Sequence, residues 1–324
     1  MKAVLYEKYG APEAALQIRE TASPVPNDRQ VLIKVRAASI NAMDWRRFAM
    51  SSLLTRLMTG GWLKPKDTAI GTDVAGIVEA VGENVTRFKP GDEVFGAAHG
   101  SFAEYALARE TNLVLKPANR SHVEAACIPV AALTALQAIR AAGGIHPGQQ
   151  VLIQGASGGV GMFAVQLAKA FDAEVTAVCS ARNFKLARSW GADHVINYAK
   201  EDFTRNGKQY DLIIAINGYR SIWTYQRTIK PQGVYVCAGG SISQFLQSMF
   251  FGKWLSQKGG KTLKSMGIAK FNQEDLTALS ELFQDGKIAP VIDRAYPLHE
   301  TIDAIHYVIK THAQGKVVLE VSKG

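Results

Sequence analysis

The chain has 324 residues, more than one hydrophobic core usually holds, and is 47% hydrophobic and 20% charged, so two domains of an ordinary globular protein are expected. Its formal net charge of +9 favours anionic ligands, yet the cations are scattered, and no basic block marks a nucleic-acid-binding arm. Three widely spaced cysteines, Cys127, Cys179 and Cys237, exclude a disulfide scaffold and a cysteine-rich zinc module and suit a reducing compartment.

The opening MKAVLYEKYG lacks the apolar run of a secretion signal, and no stretch approaches the ~18 apolar residues of a membrane span, so a cytoplasmic location is expected. Up to about residue 120 the pattern is short strands and turns. VLIKVRAASI (31–40) alternates, and VAGIVEAVGENVTRFKPGDEVFG (74–96) has turn chemistry at Gly82–Asn84 and Pro90–Asp92, which predicts a small β-barrel-like domain over 1–122. From about 123 to 287, short apolar runs alternate with helical segments: VLIQ before GMFAVQLAKAF, VTAVCS before NFKLARSWG, then HVINY, DLIIAI and VYVCAG. That alternation predicts a parallel sheet covered on both faces, an α/β domain. The tail 288–324, with GKVVLEV at 315–321, is expected to return to the first domain.

Between the first strand and first helix of the α/β domain lies GASGGVG, Gly155 to Gly161. In that context, Ser157, Gly158, Gly159, Val160 and Gly161 are expected to cradle a pyrophosphate on the helix N-terminus. The acid that would hold a ribose 2′-hydroxyl belongs about 20 residues further on, at the tip of the second strand. There the sequence has Ser180, Arg182 and Lys185. A hydroxyl and two cations suit a 2′-phosphate and predict NADPH as cofactor. Tyr198, after the third strand, is open between packing beside that phosphate and being an ordinary strand-end aromatic.

The whole chain resembles the zinc-independent medium-chain dehydrogenases/reductases of the quinone oxidoreductase and enone reductase type. The resemblance is carried by MKAV, NAMD (41–44), GTDVAG (71–76), VGENVTRFKPGDEVFG (81–96), GSFAEY (100–105), AALTALQA (131–138), GASGGVG, GADHVINY (191–198) and GKVVLEV. It implies a GroES-like catalytic domain and a Rossmann domain with a doubly wound parallel sheet, and a homodimer. Relatives that use zinc carry a cysteine where this chain has Asn41, and His and Glu where it has Thr72 and Asp73. No metal site is therefore expected, since zinc needs three or four clustered N, S or O ligands. Without a Lewis acid the acceptor must already be electrophilic, which implies metal-free hydride transfer to a small hydrophobic quinone or α,β-unsaturated carbonyl compound.

By the same resemblance, Asn41 and Thr134 lie near the nicotinamide, Asn217 and Gly239, Gly240 and Ser241 at strand ends facing the cofactor, and Lys316 close to it. Arg46 stands where quinone reductases often have a tyrosine, and is open between stabilising an enolate oxygen and facing solvent. Asn41 and Arg46 are the catalytic candidates. FAMSSLLTRLMTGGWLK (48–64) and FLQSMFFGKWLSQKGGKTLK (245–264) mix bulky apolar residues with cations; they are open between core packing, a subunit contact, the substrate cleft and a peripheral membrane contact. No specific nucleic-acid partner is expected. The competing functions are a zinc-independent alcohol or aldehyde oxidoreductase and a non-catalytic NADPH-binding sensor of the same fold.

Overall fold

The computed structural model describes residues 1–49, 65, 67–256, 260–311 and 313–321. Most of the apolar segment 48–64 therefore lies outside the described residues. Two compact units are formed: one from Met1–Val130, Phe271–Gln284 and Pro290–Gly324, the other from Ala131–Lys270 and Asp285–Ala289. The sequence pattern set the first boundary at 122 and ran the second domain unbroken to 287. The helix Gln273–Gln284 instead belongs to the first unit, burying Leu276, Leu279 and Phe283 there, with Phe283 edge-on to Phe95 at 6.3 Å.

In the first unit, β1 (Lys2–Tyr6) and β2 (Leu16–Glu20) form an antiparallel pair. A seven-stranded sheet is built from β3 (Gln30–Ser39), β4 (Asp73–Val81), β5 (Glu93–Ala97), β6 (Tyr105–Arg109), β7 (Leu113–Leu115), β14 (Ile292–Pro297) and β15 (Lys316–Glu320), in the order β14–β15–β3–β4–β5–β7 with β6 on β3. The long strand β3 is its centre. Its alternating Val31, Ile33 and Val35 are buried against Val74, Val78, Val94 and Leu113, as period-two patterning requires. At its end Ser39 stands opposite Asp73 of β4 on one side and Val318 of β15 on the other, so three distant segments meet there.

In the second unit, β8 (Gln150–Gln154), β9 (Glu174–Cys179), β10 (His194–Asn197), β11 (Tyr210–Ala215), β12 (Ile229–Cys237) and β13 (Thr262–Ser265) are all parallel, in the order β10–β9–β8–β11–β12–β13. That is the doubly wound Rossmann order, whose direction of winding reverses between β8 and β11. Val151, Leu152 and Ile153 of β8 and Ile213, Ile214 and Ala215 of β11 are fully buried, the continuous apolar run of a strand covered on both faces. The fold is thus α/β, a GroES-like unit and a Rossmann unit.

Candidate functional site

In the second unit, the reversal point is lined by the loop after β8 and the segments after β11 and β12. Gly155 has φ +84, and a Cβ there would stand 2.9 Å from that of Asn217. Glycine thus lets the loop turn and lets the ends of β8 and β11 approach. The Gly155 and Ala156 N–H groups both donate to Val178 O at 3.2 Å, tying the loop to β9. Gly158 is the N-cap of the helix Gly159–Ala170, and no side chain caps that end. Its first N–H groups, including those of Gly159, Val160 and Gly161, precede the first intrahelical bond, from Met162 N–H to Gly158 O at 2.9 Å, and are available to an anion. A Cβ on Gly158 would meet only Gly155 O, at 3.7 Å. One on Gly161 would run into Gly155 O and Ala156, so Gly161 serves the close packing of helix on strand. Ser157 is half-buried beside them.

Gly240 pairs with Gly218 in a parallel bridge, and Ser241 N–H donates to Gly218 O at 2.9 Å. Asn217, Gly239, Gly240 and Ser241 are thereby gathered at the ends of β11 and β12. Beneath them is a buried polar layer that the sequence did not announce. Tyr225 donates to Gln154 Oε1, Gln244 Nε2 donates to the Tyr235 hydroxyl at 2.5 Å, and the two tyrosine rings stack at 4.6 Å. Burial pushes the Tyr225 hydroxyl up to about 12 and that of Tyr235 further up, so both stay neutral.

At the tip of β9, Ser180 stands at the N-cap position of the single turn Ala181–Asn183, and its Oγ accepts from the side-chain Nδ2 of Asn183 at 3.1 Å. Arg182 and Lys185 are exposed on the turn and on the helix Phe184–Ser189. Tyr198, 50% exposed, is brought alongside by its N–H bond to Cys179 O at 3.4 Å. Ser180, Arg182, Lys185 and Tyr198 thus share one edge of the sheet. Thr134 is half-buried on the helix Pro129–Ala142.

The first unit holds a separate cluster where β3, β4 and β15 meet. Asp73, 0% exposed, accepts through Oδ2 from Ser39 Oγ at 2.6 Å and Asn41 Nδ2 at 2.8 Å, and through Oδ1 from the Val130 N–H at 2.8 Å. Lys316, 3% exposed, places its ammonium 2.6 Å from Asn41 Oδ1, 3.3 Å from Ile40 O and 3.4 Å from Asp73 Oδ2. Both Asn41 N–H bonds are spent inside the cluster, the second on Ser39 O at 3.4 Å. The Asn41 amide is therefore locked in one orientation, with only spare acceptor capacity on Oδ1. Where zinc-using relatives have Cys and Glu, Asn41 and Asp73 enclose a lysine ammonium.

Asp44, 2% exposed, opens the same cluster's second layer: it accepts the Asn41 N–H at 2.7 Å and the Thr72 hydroxyl at 3.4 Å. Burial pushes its carboxyl up to about 7; the Asn41 N–H opposes that, the Asp73 charge adds to it, and Lys316 and Arg47 oppose it. Arg46 is not drawn into this group. It is exposed, its guanidinium 5.5 Å from the centre of the Trp45 ring. Sequence reasoning treated Asp73 only as a replaced glutamate; its signal was a carboxylate at the head of the apolar run VAGIV (74–78). Among the described residues, no three His, Cys, Asp or Glu side chains gather as a metal would require.

Comparison with known proteins agrees with this architecture. Residues 27–118 match the alcohol dehydrogenase GroES-like domain, and residues 190–319 match the zinc-binding dehydrogenase family. The chain is 35% identical to the chloroplastic quinone-oxidoreductase QR1 of Triphysaria versicolor, over 99% of its own length and 98% of the relative's. It is 33% identical to a 2-methylene-furan-3-one reductase of Solanum lycopersicum, over 98% of this chain and 79% of that one. The solved quinone oxidoreductase from Coxiella burnetii superposes with a TM-score of 0.86 at 30% identity, each chain covered to 99%. On the strength of the end-to-end likeness and the two units already described, this chain belongs to the quinone-oxidoreductase-like group of the medium-chain dehydrogenases/reductases and is an oxidoreductase.

Proposed function

We propose that the protein is an NADPH-dependent reductase of quinones or α,β-unsaturated carbonyl compounds. The observation that carries the cofactor choice is the tip of β9, where Ser180 and the exposed Arg182 and Lys185 stand where a ribose-binding carboxylate would otherwise sit. A 2′-phosphate gains charge-assisted hydrogen bonds there, and a plain 2′-hydroxyl finds no carboxylate. The loop Gly155–Gly161 fits a pyrophosphate: its helix start is uncapped by any side chain, and the Gly158 Cβ position is open. Bound there, the nicotinamide dinucleotide supplies the hydride.

The substrate class follows from the first unit's chemistry. Asn41, Thr72 and Asp73 offer oxygens, and those of Asn41 and Asp73 already bind an ammonium, a poor set for zinc. An acceptor that is electrophilic by itself suits such a site, as do the quinone and methylene-furanone activities for which two relatives are named. Within the cluster, Lys316 and Asp73 hold the Asn41 amide, and Asp44 keeps a proton below about pH 7 next to the Thr72 hydroxyl.

Following NADPH absorbance with an o-quinone, an alkenal and a simple aldehyde tests the reading. Turnover is expected with the first two; turnover confined to the aldehyde would overturn it. Replacing Arg182 by Ala is expected to weaken NADPH binding roughly tenfold while leaving NADH binding unchanged. An equal effect on both dinucleotides, or none, would remove the phosphate role.

A further inference from the structure

The helix Ile242–Ser256 of the second unit turns small and polar residues inward. Gln244, Ser248, Gly252 and Leu255, at the spacing of one helix face, are all buried. Gly252 faces β13 so closely that a Cβ would lie 2.6 Å from Leu263 O. Leu246, Met249, Phe250 and Trp254 are instead exposed, so core packing, one of the readings of segment 245–264, is excluded for them. A glutamine buried at the head of such a face is costly to desolvate, and what it touches gives the reason for it.

Gln244 fills the space left by a missing side chain. A Cβ on Gly218 would fall inside the Gln244 amide, and one on Gly240 would strike the backbone of Gly218. The turns after β11 and β12 thus meet backbone to backbone, through the Gly218–Gly240 bridge and the bond from Ser241 N–H to Gly218 O, with the amide packed against them. Gln244 also holds the second turn directly, its N–H donating to Ser241 Oγ at 3.2 Å. One end of the amide is fixed by Nε2 donating to the Tyr235 hydroxyl at 2.5 Å. The other, Oε1, is buried against Gly218 and has no hydrogen-bond partner among the described residues. An apolar side chain of the same length would fill this space without leaving a buried acceptor unpaired. Packing alone therefore does not account for the amide; tying both turns to the stacked pair Tyr225 and Tyr235 does. A dinucleotide lies across the reversal point of such a sheet, its pyrophosphate on the glycine loop. With the 2′-phosphate at the tip of β9 on one side, the nicotinamide half falls on the other, over the ends of β11 and β12.

Resting on the dinucleotide reading above, we propose that Gln244 is a positioning residue for hydride transfer. Its buried amide holds the turns Asn217–Gly218 and Gly239–Ser241 in the arrangement that receives the nicotinamide half, and it acts through those turns. Gln244→Met keeps the length of the side chain and removes the amide; Tyr235→Phe keeps the stacked ring and removes only the amide's anchor. Binding of NADPH and of adenosine 2′,5′-bisphosphate, which carries the phosphorylated adenosine half alone, would be measured by calorimetry on the full-length protein. Gln244→Met is expected to weaken NADPH binding about tenfold and Tyr235→Phe about threefold, with the bisphosphate affinity unchanged and kcat at saturating NADPH lowered. Leu255→Ala, on the same buried face at the far end of the helix, is the control. It is expected to lower the urea midpoint and leave the ratio of the two affinities unchanged. Parallel loss of both ligands, or unchanged NADPH affinity in both Gln244→Met and Tyr235→Phe, would overturn the proposal. So would an equal shift of the ratio in Leu255→Ala, which would assign the effect to loosening of the helix. Wild-type protein that binds neither ligand would overturn the dinucleotide reading itself, and this inference with it.

Discussion

The Asp44 carboxyl sits near neutrality because burial disfavours its charge, against the smaller pull of the Asn41 N–H; the Asp73 carboxylate adds to burial, while Lys316 and Arg47 oppose it. In the unfolded chain the same group titrates near ~3.9. The folded state therefore binds that proton more tightly, and this group's contribution to stability is lost as pH rises from about 4 to about 7. Asp44→Asn is expected to flatten that fall, read as a smaller difference between urea midpoints at about pH 5 and about pH 8; an unchanged difference would assign the dependence to other groups. Lys316 has the opposite task. Lys316→Met leaves Asp73 buried without its cation and is expected to cost about 3–5 kcal/mol in urea unfolding, much of it recovered when Asp73→Asn is added. Asn41 and Lys316 were singled out through resemblance alone, as expected neighbours of the cofactor. What joins them was not: the bonds cross 275 and 243 residues of chain, and only the pairing of β15 with β3 and of β3 with β4 brings the partners together.

At the level of elements, the glycine loop separates two roles that its sequence runs together. Gly161→Ala would press a methyl into the backbone of Gly155 and Ala156 and is expected to cost about 1–3 kcal/mol of stability, measured by denaturation without ligand. Gly158→Ala meets only ordinary contact at 3.7 Å and is expected to leave stability nearly unchanged, so any loss of dinucleotide affinity in that variant reports ligand contact. The parallel strands were readable because burial on both faces leaves runs such as VLI and LIIA without interruption. The helix Ile242–Ser256 was readable as apolar but not as inverted. Apolar side chains occur all round it, and only the packing of Gly252 on Leu263 decides which side is in. Tyr225, Tyr235, Gln154 and Gln244 escaped for a related reason: each is an unremarkable strand or helix residue until the fold stacks them.

Taken as a whole, the molecule keeps its chemistry away from sulfur. Cys127, Cys179 and Cys237 are all buried, and burial pushes their thiols up, to about 12 for Cys127 and about 11 for Cys179. Ellman's reagent is expected to label none of the three in the native protein within minutes and all three after unfolding; prompt native labelling would mean that one of these sites opens readily. The pairing of β15 with β3 also bears on how the chain is made. Ile40 bonds to Val317 across almost the entire polypeptide, whereas every strand of the Rossmann sheet lies between residues 150 and 265. As the ribosome elongates the chain, the nucleotide-binding half can close while the nascent GroES-like half still waits, its central sheet open beside β3, for a partner strand that follows the whole Rossmann sheet in the sequence.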